Sequence, residues 1–358
     1  MKIGVDITCF KGTGGGIIKS IQQLVNACKK YYPEIEFISF SNRFDLRNDF
    51  NFYNKKYFYI SLPFNLHEKY IKSKLSDCDY LLFGNNGDHS TMFPEFKDKN
   101  ISIIHDVLPL EIPEYFKSEK LKSIYKDKTQ SIINVSKIIF TPSEYSKQQI
   151  ISNFECNIPV IVMPWGLTMP NIKECKKNNS LSNESYFLYI GGYDKRKGMI
   201  HLLKAFLAAY DIGNFHSKLI FTGRPKYFSK ELANLIKEAK RKNILQELGF
   251  VNNIKLANLI YNAKGLIYPS KYEGFGLPII EGMALDCPII TTHGTCIDEI
   301  AQDACIYVDI DDTYSFANSI IDIEKNTTLR NELIKKGREN INKYSWENAS
   351  KIFINNLK

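Results

Sequence analysis

The amino-acid sequence predicts an α/β protein with two domains, each built around a parallel β-sheet. The chain has 358 residues, a length that favours two hydrophobic cores over one. Short β-branched segments alternate with helical segments in both halves, which is the pattern of βαβ units. Between the halves, Pro170–Ser185 is rich in Lys, Asn and Ser and has the composition of a linker.

Each half has its own set of predicted strands, with helices of 3.6-residue periodicity between them, such as Ile200–Tyr210 and Lys230–Lys242. The predicted strands are Lys2–Ile7, Glu36–Phe40, Tyr80–Phe83, Ile101–His105, Lys137–Pro142, Val160–Met163, Tyr186–Ile190, Lys218–Thr222, Gly265–Tyr268, Pro288–Thr291 and Ala304–Val308. We therefore expect two Rossmann-like domains that face each other across a cleft and bind ligands at the carboxyl ends of their strands.

The composition disfavours several other classes of protein. The net charge of +8 is mild and is shared by both halves, so nucleic-acid binding is disfavoured, and attraction to phosphates or a membrane surface fits better. Eight scattered cysteines form no C-x-x-C pair, which favours reduced thiols in a cytoplasmic protein. No segment approaches the roughly 18 apolar residues that a membrane-spanning helix needs. Any contact with the inner face of the plasma membrane would therefore be peripheral.

The segment Ser270–Glu281 carries the strongest functional signal. A predicted strand leads into this Gly-rich turn, where Gly274 and Gly276 let the backbone approach a ligand closely. A helix is expected to begin at the proline of this segment, and its N-terminus favours negative charge. The carboxylates of Glu273 and Glu281 suit hydroxyl groups, since each can accept two hydrogen bonds from a vicinal diol.

A second segment, Tyr189–Gly198, joins a strand end to a helix start. Gly191 and Gly192 form the predicted turn, and the cations Arg196 and Lys197 follow it. A diphosphate is bound best by cations and helix N–H groups together, since each alone compensates its charge only in part. The pattern predicts a diphosphate site, with a solvated basic turn as the alternative.

The pattern Glu273-x7-Glu281, followed by Met283-Ala284 and Pro288-Ile-Ile, resembles the signature of the retaining GT-B glycosyltransferases of family GT4. That family includes bacterial mannosyltransferases and other O-antigen or lipopolysaccharide transferases. The resemblance implies that Glu273 binds hydroxyls of the donor sugar, Glu281 the ribose hydroxyls of the nucleotide, and Lys197 the donor diphosphate. The family's phosphate-binding Arg is missing, because Gly192 stands near its place, and Arg196 is expected to substitute.

The resemblance extends over nearly the whole chain. Tyr344-Ser345-Trp346-Glu347 is similar to the closing segment of the family, where a helix returns to the first domain, here with Ser345 as its cap. The implied acceptor-side domain is residues 1–168 with the C-terminal helix 344–358. The implied donor-binding domain is residues 186–343, after a linker at 169–185.

In the first half, His105-Asp106 at the end of an apolar strand resembles the family's HD motif. The implied role of His105 is a bond to a hydroxyl of the donor sugar, whereas Asp106 is equally a turn or cap residue. Upstream, Ile17 stands where a dinucleotide fingerprint needs its third glycine, so NAD binding is disfavoured. The resemblance implies instead a flexible loop in which Gly15 and Gly16 close over the donor or acceptor, with a plain tight turn as the alternative.

Further donor-binding residues are implied by the same resemblance in loops that follow the strands, one of which is expected at Leu248–Val251. These are Gly223, Arg224, Phe250, Val251, Phe275 and Leu277, and Phe250 is equally compatible with core packing. Lys117–Lys128 holds five lysines among apolar residues. This stretch is either a solvated helix face or a patch that meets a membrane or the phosphate of a lipid-linked acceptor.

The implied reaction is retaining transfer of a hexose from a nucleotide sugar to a hydroxyl of a glycan or lipid-linked acceptor in surface polysaccharide synthesis. GDP-mannose is the favoured donor, and a UDP- or dTDP-sugar follows. No cofactor and no metal are expected, because the cations of the chain would stabilise the diphosphate. Two alternatives stay open: a GT-B-fold nucleotide-sugar epimerase and a non-catalytic donor-binding subunit of a partner transferase.

Overall fold

The structure, a computed structural model, describes residues 1–7, 16–40, 72–73, 75–84, 92–112, 115–170, 175, 185–213, 215–224 and 229–358, with residues 16–18 described in their backbone only. These residues fall into two compact units. The first unit comprises Met1–Gly166 and Ser345–Lys358, and the second comprises Leu167–Tyr344. Gly15, a predicted site residue, lies outside the described residues, as does most of the predicted linker.

The first unit contains a six-stranded parallel sheet in the order β2-β1-β3-β4-β5-β6. Its strands are β1 (Lys2–Asp6), β2 (Glu36–Phe40), β3 (Tyr80–Phe83), β4 (Asn100–Ile103), β5 (Ile138–Thr141) and β6 (Val160–Val162). The α-helices described in this unit are α1 (Gly16–Tyr31), α2 (Glu119–Asn134), α3 (Glu144–Asn153) and the C-terminal α11 (Trp346–Asn355).

The second unit contains another six-stranded parallel sheet, in the order β12-β11-β10-β7-β8-β9. Its strands are β7 (Tyr186–Ile190), β8 (Lys218–Thr222), β9 (Leu245–Gly249), β10 (Gly265–Tyr268), β11 (Ile289–Thr291) and β12 (Cys305–Tyr307). Its described α-helices are α4 (Met199–Ile212), α5 (Lys230–Arg241), α6 (Asn253–Asn262), α7 (Leu277–Ala284), α8 (Cys296–Ala301), α9 (Thr313–Lys325) and α10 (Thr327–Asn340).

The prediction of an α/β fold with two parallel sheets is confirmed. The burial of the strands explains why they could be predicted from the sequence. Every residue of β4, β5 and β10 is buried. A parallel sheet covered on both faces needs such continuous apolar strands, because neither face meets water. In the second unit, Phe187, Phe206 and Phe221 fill the main hydrophobic core.

Short polar side chains define where many of the helices begin. Each accepts a hydrogen bond from a backbone N–H of the first helical turn, a contact that contributes about 1 kcal/mol. The residues are Ser118, Ser143, Ser229, Asn252, Thr295, Asp312, Asn326 and Ser345. The cap predicted at Ser345 is confirmed, and it starts the helix that packs back onto α1 of the first unit.

The sequence prediction missed one strand, β9, and treated Leu248–Val251 as part of a loop. That prediction is wrong for Leu248 and Gly249, which belong to β9. Among the described strands, β9 lies at the sheet edge and pairs only with β8. Its sequence, LQELG, lacks β-branched residues, and only Leu245 is buried. An edge strand with one exposed side does not need the apolar run that identified the others.

The carboxyl ends of β7, β8 and β9 meet through glycines. Gly223, which follows β8, has a φ of +113°, and a Cβ there would lie 2.1 Å from the carbonyl oxygen of Gly191. The N–H of Gly223 donates to the carbonyl of Gly249 at 2.8 Å. Only glycine permits this backbone approach. The contact places two predicted donor-binding residues, Gly191 and Gly223, side by side at this edge of the sheet.

In the first unit, His105 lies buried just after β4. Its ring packs on Trp165 with centroids 5.4 Å apart, and Trp165 packs on Trp346 at 5.8 Å. Burial lowers the pKa of His105 to about 4, although a hydrogen bond with the backbone of Gly84 opposes the shift. The imidazole is therefore neutral at pH 7 and can both donate and accept a hydrogen bond.

The protein should lose stability as the pH falls through the window set by His105. The folded-state pKa of His105, about 4, lies below the ordinary value of 6.5. The contribution of the neutral imidazole to the free energy of unfolding is therefore fully present above pH 6.5 and is lost as the pH falls toward 4. Relative to His105→Gln, the wild type should lose about 1.4 kcal/mol of unfolding free energy per pH unit within that window.

Urea unfolding at pH 7.5 and pH 5 measures this difference. His216→Gln, at an exposed histidine of the second unit, is the matched control and should keep the wild-type pH dependence. Identical pH dependence in His105→Gln and the wild type would contradict the burial of a neutral His105.

Candidate active site

The turn at residues 195–198 positions both cations that the sequence assigned to a diphosphate. A short 3-10 helix, Lys195–Lys197, begins after Asp194, whose carboxylate accepts a hydrogen bond from the N–H of Arg196 at 3.2 Å. Gly198 ends this helix against β10, since a Cβ there would lie 2.1 Å from the carbonyl oxygen of Pro269. The turn is thus packed directly against the residues that lead into the 270–281 segment.

A single carboxylate oxygen gathers the polar side chains of these two segments. Oε1 of Glu273 accepts hydrogen bonds from Nη1 of Arg196 at 2.8 Å and from Oγ of Ser270 at 2.5 Å. The same oxygen forms an ion pair with Nζ of Lys197. The ammonium also donates to the hydroxyl of Tyr268 at 2.6 Å. We call Arg196, Lys197 and Glu273 the ion cluster.

The ion cluster is largely shielded from water. The exposed fractions of its side chains are 10% for Glu273, 12% for Lys197 and 25% for Arg196. Burial raises the pKa of Glu273, but the charges of Lys197 and Arg196 outweigh it and hold this pKa below its usual range. Burial lowers the pKa of Lys197, against the attraction of Glu273. The carboxylate is therefore ionised, and its charge is what compensates the two cations.

Backbone contacts fix the ion cluster at the carboxyl edge of the second sheet. The carbonyl of Arg196 accepts from the N–H of Lys271 at 2.8 Å, and Nη1 of Arg196 donates to the carbonyl of Tyr272 at 2.6 Å. The hydroxyl of Thr292, which follows β11, donates to the carbonyl of Ser270 at 2.5 Å. The loops after β7, β10 and β11 are thereby tied together around the carboxylate.

The Gly-rich turn continues from Glu273 into α7, as predicted from the proline. Gly276 precedes the helix with a φ of +85°, and the helix begins at Leu277. Gly274 and Phe275 are buried in the turn, and the ring of Phe275 meets that of Tyr344 at 5.9 Å. Glu281 lies on the second turn of α7 and is half-buried. The predicted donor-binding residues 273–277 and 281 are therefore contiguous with the ion cluster.

Phe250 and Arg224 form an exposed pair after β8 and β9. Phe250 is 68% exposed, and the guanidinium carbon of Arg224 lies 5.3 Å from its ring centroid, a cation–π contact. The core alternative for Phe250 is wrong, because the side chain faces water. Val251 is the next residue and is half-buried. Gly192, at the neighbouring strand end, lies close to Arg224, since a Cβ at Gly192 would lie 3.3 Å from the Arg224 carbonyl oxygen.

The remaining predicted site residues belong to the first unit. His105 and Asp106 follow β4, and Oδ1 of Asp106 accepts a hydrogen bond from the N–H of Leu108 at 3.1 Å. This contact gives Asp106 the turn role that the sequence left open. Gly16 is the first residue of α1. The structure thus brings Lys197, Arg196 and Glu273 together within one unit, and it places His105 and Asp106 in the other.

Sequence reasoning gave no role to two side chains that contact the ion cluster, Tyr268 and Ser270. Tyr268 is the last residue of β10 and is buried, and Ser270 is fully buried. The available signal was a hydroxyl-bearing residue at the end of an otherwise apolar strand that leads directly into Glu273. A polar atom at such a buried strand end needs a partner, and here that partner is Lys197.

Among the described residues, no three His, Cys, Asp or Glu side chains gather in a way that could hold a metal ion. The sequence Asp309-Ile-Asp311-Asp312 mimics a metal-binding D-x-D pattern, but in the structure the carboxylates of Asp309 and Asp312 accept hydrogen bonds from the backbone N–H groups of Asp311 and Ser315. Metal independence stays a prediction of the sequence. The helices described in the structure include none that is long and apolar enough to cross a membrane.

Comparison with known protein families is consistent with this geometry. Residues 171–340, which include the ion cluster, match the family model of glycosyl transferases group 1. The chain is 26% identical over 292 residues to O-antigen chain mannosyltransferase B of Escherichia coli, an alignment that covers 78% of this chain and 74% of that protein. It is 25% identical to O-antigen chain mannosyltransferase RfbU of Salmonella typhimurium, over 66% of this chain and 64% of that protein.

Solved structures share the fold at low sequence identity. Sucrose-phosphate synthase from Thermosynechococcus elongatus superimposes with a TM-score of 0.75 at 17% identity, covering 99% of this chain and 98% of that one. HepE from Anabaena in complex with UDP-glucose gives a TM-score of 0.71 at 14% identity, covering 100% and 99%. The chain therefore has the GT-B fold and is a hexosyltransferase, and its residues 171–340 are similar to the group 1 glycosyltransferases.

Proposed function

We propose that this hexosyltransferase moves a hexose, with retention at the anomeric carbon, from a nucleotide sugar to a hydroxyl of a glycan or lipid-linked acceptor in surface polysaccharide synthesis. GDP-mannose is the favoured donor, since the relatives include O-antigen mannosyltransferases. A UDP-sugar is the next choice, because the solved structure of HepE contains UDP-glucose. The ion cluster at the carboxyl edge of the second sheet is the observation that carries the proposal.

Lys197 and Arg196 are the proposed ligands of the donor diphosphate. Among the described residues, Lys197 uses two of its three N–H groups on Glu273 and Tyr268, and Arg196 bonds through Nη1. The third N–H of Lys197 and Nη2 of Arg196 are left for a ligand. Positive charge fixed before the donor arrives stabilises a leaving diphosphate without reorganisation during the reaction.

The carboxylate of Glu273 is a poor candidate for a covalent nucleophile. Its Oε1 already accepts from Ser270 and bonds to two cations. Those contacts stabilise the charge that a nucleophile would have to give up in a double displacement. We therefore assign Glu273 to binding, with its other oxygen toward a hydroxyl of the donor sugar, and Glu281 to the ribose hydroxyls. His105 is the proposed partner of a donor-sugar hydroxyl from the first unit.

Nucleotide release from GDP-mannose, in the presence and absence of a lipid extract from the source cells, tests this proposal. Release that depends on the extract is expected. Conversion of the donor to an isomer would favour the epimerase, and donor binding without turnover would favour the non-catalytic subunit. Lys197→Ala should lower kcat/KM for the donor by about 100-fold. Lys204→Ala, which removes a surface partner of Glu231, is the matched control and should keep wild-type activity.

Peripheral membrane contact through α2 belongs to the same proposal. Tyr115, Leu121 and Ile124 are 55%, 46% and 40% exposed. The lysines of residues 117–128 surround them, and Lys120 and Lys126 are among those exposed. Exposed apolar side chains within a basic surface suit an anionic bilayer, because the charges attract the headgroups while the apolar groups insert.

Flotation with vesicles tests the membrane contact. The wild type should bind vesicles that contain phosphatidylglycerol and bind poorly to pure phosphatidylcholine, with binding reduced by salt. Lys120→Glu with Lys126→Glu should abolish most of the binding. Lys325→Glu with Lys335→Glu, on exposed helix positions of the second unit, changes the net charge equally and should bind as the wild type. Equal binding by both double variants would contradict a role for α2.

A further inference from the structure

We propose that Tyr268 is a positioning residue of the transferase: its hydroxyl and Glu273 together hold the Lys197 ammonium in place and leave one N–H of that ammonium for the donor diphosphate. This role rests on the proposed function, and it concerns a residue to which no role was assigned from the sequence. It is carried by the hydrogen bond of 2.6 Å from Nζ of Lys197 to the Tyr268 hydroxyl.

The contact is specific because an ammonium on a flexible four-carbon stem needs more than one partner to be fixed. Glu273 compensates the charge of the ammonium, and the Tyr268 hydroxyl accepts a second hydrogen bond from it. The ammonium also lies 4.6 Å from the centroid of the Tyr268 ring, so the ring restricts Lys197 on another side. With two N–H groups engaged, only one is left to rotate toward a ligand.

Tyr268 is itself rigid. It is the last residue of β10, a central strand of the sheet, and its side chain is buried. Its carbonyl accepts a hydrogen bond from the hydroxyl of Thr291 at 2.8 Å. A buried tyrosine on a central strand therefore fixes Lys197 relative to the sheet, whereas Glu273 stands on a loop. Groups held by rigid elements keep the geometry that a reaction needs.

The groups around Lys197 determine how loss of the Tyr268 hydroxyl would change the pKa of the Lys197 ammonium. Its titratable and charged neighbours are Glu273, Arg196, Asp194 and Tyr268. Removing the Tyr268 hydroxyl takes away an acceptor for the charged ammonium and leaves its burial unchanged. The ammonium should then lose its proton at lower pH than in the wild type.

Tyr268→Phe tests the inference with the GDP-mannose release assay in the presence of lipid extract. We expect kcat to fall roughly 10- to 100-fold while KM for the donor changes little, since the ground-state contacts of the donor remain. The alkaline limb of the pH profile of kcat/KM should move to lower pH. Tyr186→Phe removes another buried hydroxyl, which donates to the carbonyl of Leu259 at 2.8 Å at the start of β7, and it should keep the wild-type profile.

The outcomes separate this inference from the proposed function. A wild type that releases nucleotide from neither GDP-mannose nor UDP-glucose overturns the proposed function and the role of Tyr268 with it. An active wild type with Tyr268→Phe equal to Tyr186→Phe in kcat and in pH profile overturns the role of Tyr268 alone. If Tyr268→Phe fails to fold, Tyr268→3-fluorotyrosine keeps the hydroxyl and weakens its oxygen as an acceptor. It should shift the alkaline limb in the same direction, and an unchanged limb would refute the inference.

Discussion

The carboxylate of Glu273 is the constraint on which the rest of the site depends. Two cations and a serine hydroxyl converge on its Oε1 at the edge of the second sheet. Two like charges as close as Arg196 and Lys197 would repel each other in a poorly solvated place without a compensating anion. The side-chain positions of both cations follow from satisfying this one group, whereas Gly198 and Gly276 determine the close packing of the 195–198 turn and the start of α7.

This arrangement has a chemical consequence for a transferase. A nucleotide-sugar donor leaves as a nucleoside diphosphate, whose negative charge grows as the glycosidic bond breaks. In the ion cluster, Arg196 and Lys197 are already held in position by their contacts with Glu273. They would therefore need little rearrangement to bind the diphosphate of a donor. The net charge of the cluster is +1, which attracts an anionic donor, while the carboxylate of Glu273 stabilises the two cations.

Much of the fold could be predicted from the sequence, because both sheets are parallel and covered on both faces. Buried strands such as β5 and β10 then read as apolar runs, and helix caps such as Ser345 mark the starts of the helices. The edge strand β9 was missed, since an edge needs no such run. The burial of Phe250 could not be predicted, because aromatic residues occur both in cores and on surfaces and the sequence does not distinguish the two.

The site was predictable at the level of segments and less so at the level of contacts. The spacing of Glu273 and Glu281 and the cations before Gly198 identified the segments that the structure brings together. The sequence did not indicate that Arg196 and Lys197 are bound to Glu273 itself, because residues about 76 positions apart meet only through the order of the strands. Tyr268 was overlooked for the same reason, since it lies 71 positions from Lys197, whereas Ser270 was overlooked although it stands three residues before Glu273.

The unfolding free energy of Glu273→Gln tests the account most directly. The amide keeps the size of the side chain and removes its charge, which leaves two largely shielded cations uncompensated. We expect a loss of about 3–5 kcal/mol in urea unfolding at pH 7. The control Glu231→Gln, at an exposed pair with Lys204, should lose at most about 1 kcal/mol. A Glu273→Gln variant as stable as this control would contradict the claim that the charge of Glu273 organises the site.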